Sequence, residues 1–309
     1  MTHVFPVQTG ENMTKTTKVM RVDCSSCNGC DIEMLATLAT RYNLSHLNIE
    51  VTYQPEEANI LVVTGGVNHK TAKELKKIYE KMKEPKVVVA MGTCALTKCV
   101  FQKGYSMIGP VDRFIPVTAY VFGCPPRPQN LLKAIISALG CEPLPADDFW
   151  KIPEEFRGMI KHDEEKCIGC GSCVEMCPSF AIRLEEDANR KDIVFNLAKC
   201  SYCGQCEEVC PVDAINLVEE PTPIYKDRNL GLLHGCMARE MCKVCGRFWH
   251  TEAQHRFIIK MLKEKGLGQE VLKKAEVTLS TCTLCKHNSN YITQTKKEMV
   301  QWALKGGES

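Results

Sequence analysis

The sequence predicts an α/β domain with a parallel sheet, then a smaller α+β domain, then a small C-terminal lobe held together by metal. Three observations carry this reading. Up to about residue 142, continuous Val/Ile/Leu stretches alternate with amphipathic helical patterns, as in a sheet covered on both faces. Two cysteine-rich stretches, KCIGCGSCVEMCPSFAIRLEE (166–186) and KCSYCGQCEEVCPVDAINLVE (199–219), align without a gap at an offset of 33 residues. Two further CxxC pairs lie beyond Pro221.

The chain has 309 residues, enough for two or three domains with separate cores. Its 20 cysteines are too many for packing alone. The first residues, MTHVFPVQTGENMTKTTKVM, lack an apolar h-region and a twin arginine, so no export signal is expected. Clustered cysteines in such a chain point to metal rather than to disulfides. No apolar run approaches the roughly 18–20 residues of a membrane span, and a cytoplasmic chain is expected. The net charge of +2 hides a segregation: 16 basic against 12 acidic residues in 1–142, 8 against 17 in 143–221, and 15 against 8 in 222–309. The basic tail has scattered lysines on helical faces rather than a groove with interleaved aromatics, which argues against nucleic acid.

Residues 1–17 read as a flexible N-terminus. In 18–142 the expected strands are KVMRVD (18–23), IEVTY (49–53), NILVVTG (59–65), KVVVAMG (86–92) and TAYVFG (118–123). The expected helices are DIEMLATLATRY (31–42), HKTAKELKKIYEKM (69–82) and PQNLLKAIISALG (128–140), giving a flavodoxin-like parallel sheet. Cysteines follow three of these strands directly: Cys27 and Cys30 after the first, Cys94 after MGT, and Cys124 in FGCPPRP. Ligands of open α/β sheets bind beyond the carboxyl ends of the strands, so these thiols can converge on one site.

A linker (143–160) rich in Pro, Asp and Glu precedes the repeat domain, 161–221. There C-x2-C-x2-C-x3-C-P occurs twice, the spacing of bacterial-type ferredoxins with two [4Fe–4S] clusters. The fourth cysteine of each run reaches the other cluster. One cluster is therefore expected on Cys167, Cys170, Cys173 and Cys210, the other on Cys200, Cys203, Cys206 and Cys177. Two zinc sites are the alternative, disfavoured by the doubled motif with its Pro178 and Pro211.

In the C-terminal region, 222–309, Cys242-x2-Cys245 and Cys282-x2-Cys285 stand 36 residues apart. Two such knuckles suit a tetrahedral zinc on four thiolates, with iron as the alternative metal. Cys236, His234, His250 and His287 are substitutes. A helical stretch is expected over 257–275.

Residues 20–142 resemble the small, proximal-cluster subunit of membrane-bound, energy-converting [NiFe] hydrogenases and the homologous cluster subunit of respiratory complex I. RVDCSSCNGCDIEML, ANILVVTGGV, MGTC and IPVTAYVFGCPPRP carry the resemblance, in that order. It implies a proximal [4Fe–4S] cluster on Cys27, Cys30, Cys94 and Cys124, with Cys99 as the alternative to Cys94. Cys24 and Cys141 fall outside the ligand set. Glu33 lies either beside the cluster at a subunit interface or simply in a helix's first turn, where the dipole favours an acid. The Cys-Asn-Gly-Cys spacing, where the complex I branch usually has adjacent cysteines, points to the hydrogenase branch. Residues 156–300 resemble the ferredoxin-like subunit of formate hydrogenlyase, through FRG-x7-KCIGC, CSYCGQCEEVCP, CKVCGRF and TCTLCK.

The chain thus looks like a fusion of two subunits. The resemblance implies an electron-transfer role with three [4Fe–4S] clusters and one zinc, and no bond-making site on this chain. Implied partners are a [NiFe] large subunit, membrane subunits, and a ferredoxin or a formate or CO dehydrogenase module as donor. The expected place is peripheral, on the inner face of the cell membrane. The alternative is a complex I-like quinone oxidoreductase subunit without hydrogenase activity.

Overall fold

In the computed structural model, which describes residues 16–39, 42, 49–139, 151–152, 156–288, 297 and 300–301, the apolar segments of the first third build one sheet. They are β1 (Thr17–Asp23), β2 (Ile49–Val51), β3 (Ile60–Thr64), β5 (Val87–Met91) and β7 (Ala119–Val121); β4 (Val67–Asn68) and β6 (Met107–Gly109) form a small ribbon apart from it. The five strands pair in parallel in the order β2-β1-β3-β5-β7. This is the flavodoxin-like order, with its switch between β1 and β3.

β3 is buried at every position because both faces are covered. Leu61, Val63, Val88 and Ala90 face one core with Leu75 of α2 (Thr71–Lys81). Ile60, Val62, Val89 and Met91 face the other, with Met34 of α1 (Gly29–Ala36) and Leu131 and Ile135 of α4 (Pro128–Leu139). α3 (Thr93–Thr97) is a short helix directly after β5. The helix expected over 31–42 stops at Ala36. There the chain tightens, with Leu38 N and Ala39 N donating to Leu35 O and Ala36 O, and the Thr37 hydroxyl to Met34 O.

The second body pairs β8 (Met159–His162) with β11 (Ile215–Val218), and its repeats each carry one helical turn, α5 (Ser172–Glu175) and α6 (Gln205–Glu208). A hairpin of β9 (Ile182–Glu186) and β10 (Arg190–Asn196) separates the two cysteine loops.

Residues beyond 221 do not stand apart from the other two bodies. β12 (Ile224–Tyr225) joins the first sheet as an antiparallel edge beside β7. β13 (Leu232–Met241) pairs with β10 along seven residues and then with β14 (Phe248–Thr251). Three helices follow: α7 (Glu252–Glu264), α8 (Gln269–Leu279) and α9 (Thr283–Asn288). The single helical stretch expected over 257–275 is thus corrected to two helices. Gly266, at φ +74°, takes a left-handed turn that breaks the hydrogen-bond ladder. Residues 1–15, most of the linker and Cys141 lie outside the described residues.

Candidate metal centres

The loop between β1 and α1 is built by two aspartates. Asp23 Oδ1 accepts from the backbone N–H groups of Ser25 and Ser26 at 2.9 and 2.7 Å, which turns the chain out of the strand. Asp31, only 3% exposed in the first turn of α1, accepts from the Arg21 guanidinium, from the Ser26 hydroxyl and from Thr64 Oγ1 at 2.9 Å. These bonds tie the loop to β1 and β3. The acid that the first turn uses is Asp31 rather than Glu33. Glu33 is half-buried, and burial raises its carboxyl above the ordinary value while the Arg127 charge opposes.

The loops after β1, β5 and β7 approach one another. A Cβ built on Gly29 would lie 3.6 Å from Cys27 Sγ and 3.8 Å from Pro125, so the CxxC loop touches the loop of Cys124. Gly92 opens α3 at φ +86°, and a Cβ there would be 2.3 Å from Cys30 Sγ. Burial pushes the Cys30 thiol up to about 12, with the Cys124 and Cys27 sulfurs adding to it. Cys99 Sγ donates to Lys199 O at 3.9 Å; the neighbouring Cys124 sulfur holds its thiol down, while Cys94 and burial drive it up to about 12. Five thiols therefore gather here: Cys27, Cys30, Cys94, Cys99 and Cys124. Cys99 reaches the group because Lys98 and Cys99 both take left-handed backbone, at φ +70° and +47°. Cys24 is fully buried in the core with Leu61 and Leu75, and burial pushes its thiol up to about 12. It packs and does not join the site.

The repeat sorts its thiols into two groups. Burial raises Cys167, helped by Cys170 and Cys210, and raises Cys173 to about 12, helped by Cys170 and Cys167 and then by Cys206 and Cys210. Burial also raises Cys200, with Cys206, Cys177 and Cys203 adding to it. A small pocket, partly open to solvent, is lined by Cys177, Cys200, Cys203 and Cys206. Backbone N–H groups of Ala181, Tyr202 and Ala214 donate to Cys177, Cys200 and Cys210 Sγ, each at 3.2 Å. Such bonds favour thiolate over thiol, and with this grouping the residues fit two [4Fe–4S] clusters.

In the tail, the Sγ atoms of Cys242, Cys245, Cys282 and Cys285 lie within 4.8 Å of one another, and Cys245 and Cys282 are 3.7 Å apart. A tetrahedral site with metal–sulfur bonds of about 2.3 Å has sulfur–sulfur edges of about 3.8 Å. Burial opposes ionisation of Cys242. The N–H groups of Cys282, Cys245 and Val244 outweigh it and hold the thiol down to about 6. The donor set fits one four-thiolate metal. Cys236 is exposed on β13, where Arg190 Nε donates to it at 3.0 Å, and His234 and His287 are exposed. His250 belongs to a different group, with Glu240 and His255, two residues that no spacing rule singled out.

The second cysteine loop docks against the first site. Thr93 Oγ1 lies 2.9 Å from both Gly123 O and Cys200 O, so one hydroxyl proton serves both loops. Thr97 Oγ1 donates to Ala198 O at 3.1 Å. Burial holds the Tyr202 phenol well above its ordinary value, with Cys200, Tyr225 and Cys124 adding to it. On the outside, α1 exposes Ile32 (63%) and Leu35 (57%) beside exposed Cys27. No helix among the described residues is long and apolar enough to cross a membrane.

A doubly wound sheet gathering thiols at its strand ends, joined to a doubled four-cysteine repeat, defines an iron–sulfur protein. Residues 27–138 match the family described as NADH ubiquinone oxidoreductase, 20 Kd subunit, and residues 166–214 match the 4Fe-4S dicluster domain. An uncharacterized protein of Methanocaldococcus jannaschii is 49% identical over 115 residues, covering 37% of this chain and 77% of its own. The probable membrane-bound hydrogenase subunit mbhJ of Pyrococcus furiosus is 40% identical over 121 residues, covering 39% of this chain and 72% of its own. An NADH-quinone oxidoreductase subunit of Akkermansia muciniphila is 41% identical over 109 residues, covering 35% of this chain and 56% of its own. The chain belongs to the 20 kDa subunit family of NADH:ubiquinone oxidoreductase and carries a 4Fe–4S dicluster domain in addition.

Proposed function

We propose that this chain is the electron-transfer subunit of a membrane-associated [NiFe] hydrogenase complex of the formate hydrogenlyase or energy-converting type. It connects a redox donor with the nickel–iron large subunit, for proton reduction or hydrogen oxidation. The observation that carries the reading is the Thr93 bridge, which joins the Cys94 and Cys124 loops to the backbone of Cys200 in the repeat. Two thiol groups held that close, with Tyr202 excluding water between them, suit electron transfer better than two independent structural staples. When bound, [4Fe–4S] clusters supply reversible one-electron exchange, at potentials set by hydrogen bonds to sulfur and by burial.

Cys27, Cys30, Cys94 and Cys124 hold the proximal cluster in this reading, with Cys99 packed behind them. Cys167, Cys170, Cys173 and Cys210 hold one ferredoxin cluster, and Cys200, Cys203, Cys206 and Cys177 the one nearer the first domain. The tail cysteines clamp zinc, or iron, as a folding staple. The working division is 18–142, 161–221 and 222–309, with the large subunit docking on the apolar side of α1 next to Cys27. Membrane subunits of the complex hold the chain to the inner face of the cell membrane. No residue of this chain makes or breaks the H–H bond of the substrate.

The second reading is a complex I-like subunit whose partner reduces quinone. It draws support from the NADH-quinone oxidoreductase relative, and the Cys27-x2-Cys30 spacing favours the hydrogenase branch over it. Anaerobic purification of the native complex, identification of its co-purifying chains and a hydrogen-evolution assay separate the two. A nickel-bearing partner and hydrogen production are expected. Quinone reduction by a complex without nickel sinks the hydrogenase reading.

A further inference from the structure

The β13–β14 hairpin and the first turns of α7 bring together three side chains that none of the cysteine sites uses. Glu240 Oε2 lies 2.6 Å from His255 Nδ1 and 3.6 Å from His250 Nε2. One ligand atom from each of the three lies within 4.8 Å of the others. His250 is 6% exposed, and neither of its ring nitrogens has a hydrogen-bond partner among the described residues. The indole Nε1 of Trp249 beside it is buried in the same state. A buried polar group left unpaired costs about 1–3 kcal/mol, so an imidazole with two such nitrogens calls for a partner. Glu240 does not serve fully, because its Oε2 is already engaged by His255 at 2.6 Å.

We propose that Glu240, His250 and His255 bind a divalent first-row transition-metal ion, at a site separate from the four-cysteine group. Two imidazoles and one carboxylate are the donors that zinc and ferrous iron accept, whereas calcium and magnesium require oxygen. The ion takes a lone pair from His250, the carboxylate offsets part of its charge, and water completes the coordination. The charge that opposes it is Lys286, whose ammonium stands 4.6 Å above the Trp249 ring. The position gives the ion a structural task. The next residue, Thr251, donates its hydroxyl to Ile168 O, and a Cβ on Gly169 would be 2.9 Å from Thr251 Cγ2. Fixing His250 therefore fixes the wall that covers the Cys167–Gly169 turn.

The test uses the full chain, loaded with its clusters and kept oxidised and anaerobic. Cadmium-113 replaces zinc for nuclear magnetic resonance, and added zinc is titrated by calorimetry. Two cadmium resonances are expected, one in the sulfur-ligand range and one in the nitrogen–oxygen range. His250→Ala should abolish the second while sparing the first. His255→Gln, at a half-buried position, should weaken zinc binding there by more than about tenfold. Absence of the nitrogen–oxygen resonance from the wild-type chain overturns the proposal, and so does its persistence in His250→Ala or an undiminished zinc affinity in His255→Gln. Should His250→Ala fail to fold, the wild-type spectrum and His255→Gln still decide.

Discussion

Replacing Gly92 by alanine sets a methyl group against the sulfur of Cys30. The added Cβ would lie 2.3 Å from Sγ, where an ordinary non-bonded contact is about 3.5–4.0 Å, so the thiol must retreat by more than about 1 Å. Metal–ligand bonds hold to within about 0.2 Å, and a retreat of that size takes Cys30 out of ligand range. The backbone adds to this: φ +86° with ψ 151° lies in a region essentially reserved for glycine, at a cost of about 1–3 kcal/mol. Gly92→Ala should therefore empty the proximal site while both repeat clusters stay. Iron and sulfide per chain should fall by about a third, and paramagnetic resonance of the reduced protein should lose one of its signals. Gly266→Ala is the control, because Gly266 sits at φ +74° in the turn after α7, with nothing within 4 Å of its would-be Cβ. It carries a positive-φ penalty without the contact and should keep all its iron. A folded Gly92→Ala chain with its full iron content would refute the assignment of Cys30 to that site.

Cys30→Ala should stop electron delivery to a partner while both repeat clusters remain reducible, whereas Cys24→Ala should keep every cluster, because Cys24 is a core residue. Paramagnetic resonance and an activity assay on the complex read the pair, and the reverse pattern contradicts the reading. Asp31→Asn removes a charge-assisted bond to the partly exposed Arg21 and should loosen the CxxC loop by about 1–2 kcal/mol. Its signature is faster bleaching of one cluster by an iron chelator; an unchanged rate argues that the loop is held by other contacts. Exchanging Cys242 and Cys245 together for serine should remove one tightly bound metal and expose the tail to limited proteolysis, leaving the cluster spectra unchanged. Retention of that metal points away from the four-thiolate site.

Much of the first sheet was legible because β3 and β5 are buried on both faces. A strand in that position needs apolar side chains on both faces, and ILVV and VVVAM have them, with Thr64 closing β3 on a hydrogen bond to Asp31. The repeat was legible for a local reason: three thiols on one tight loop must follow a short fixed spacing, and nothing distant is needed to recognise it. The expectation that Cys177 and Cys210 cross between the two groups follows from the same spacing; in the fold Cys210 acts on Cys167, and Cys177 on Cys200.

What the sequence left open depends on contacts between residues far apart in the chain. β12 is two residues long, and only its pairing with Val121 and Tyr120 makes it a strand. β13 alternates buried and exposed positions weakly, and it becomes a sheet member because β10 offers it an edge; a tail expected as a separate lobe is therefore continuous with the repeat. Cys99 enters the first site through two consecutive left-handed residues, a choice of backbone that a lysine followed by a cysteine does not announce. Asp31 and Thr93 have their roles from partners at Thr64 and Cys200, and Glu240, His250 and His255 meet only once the hairpin and helix have packed. Periodicity and ligand spacing are written into neighbouring residues, so the sequence by itself determined the buried strands of the first sheet, α2, α4 and the thiol motifs. Which loops touch is set by the free energy of burying one surface on another, and that the tertiary structure alone decided.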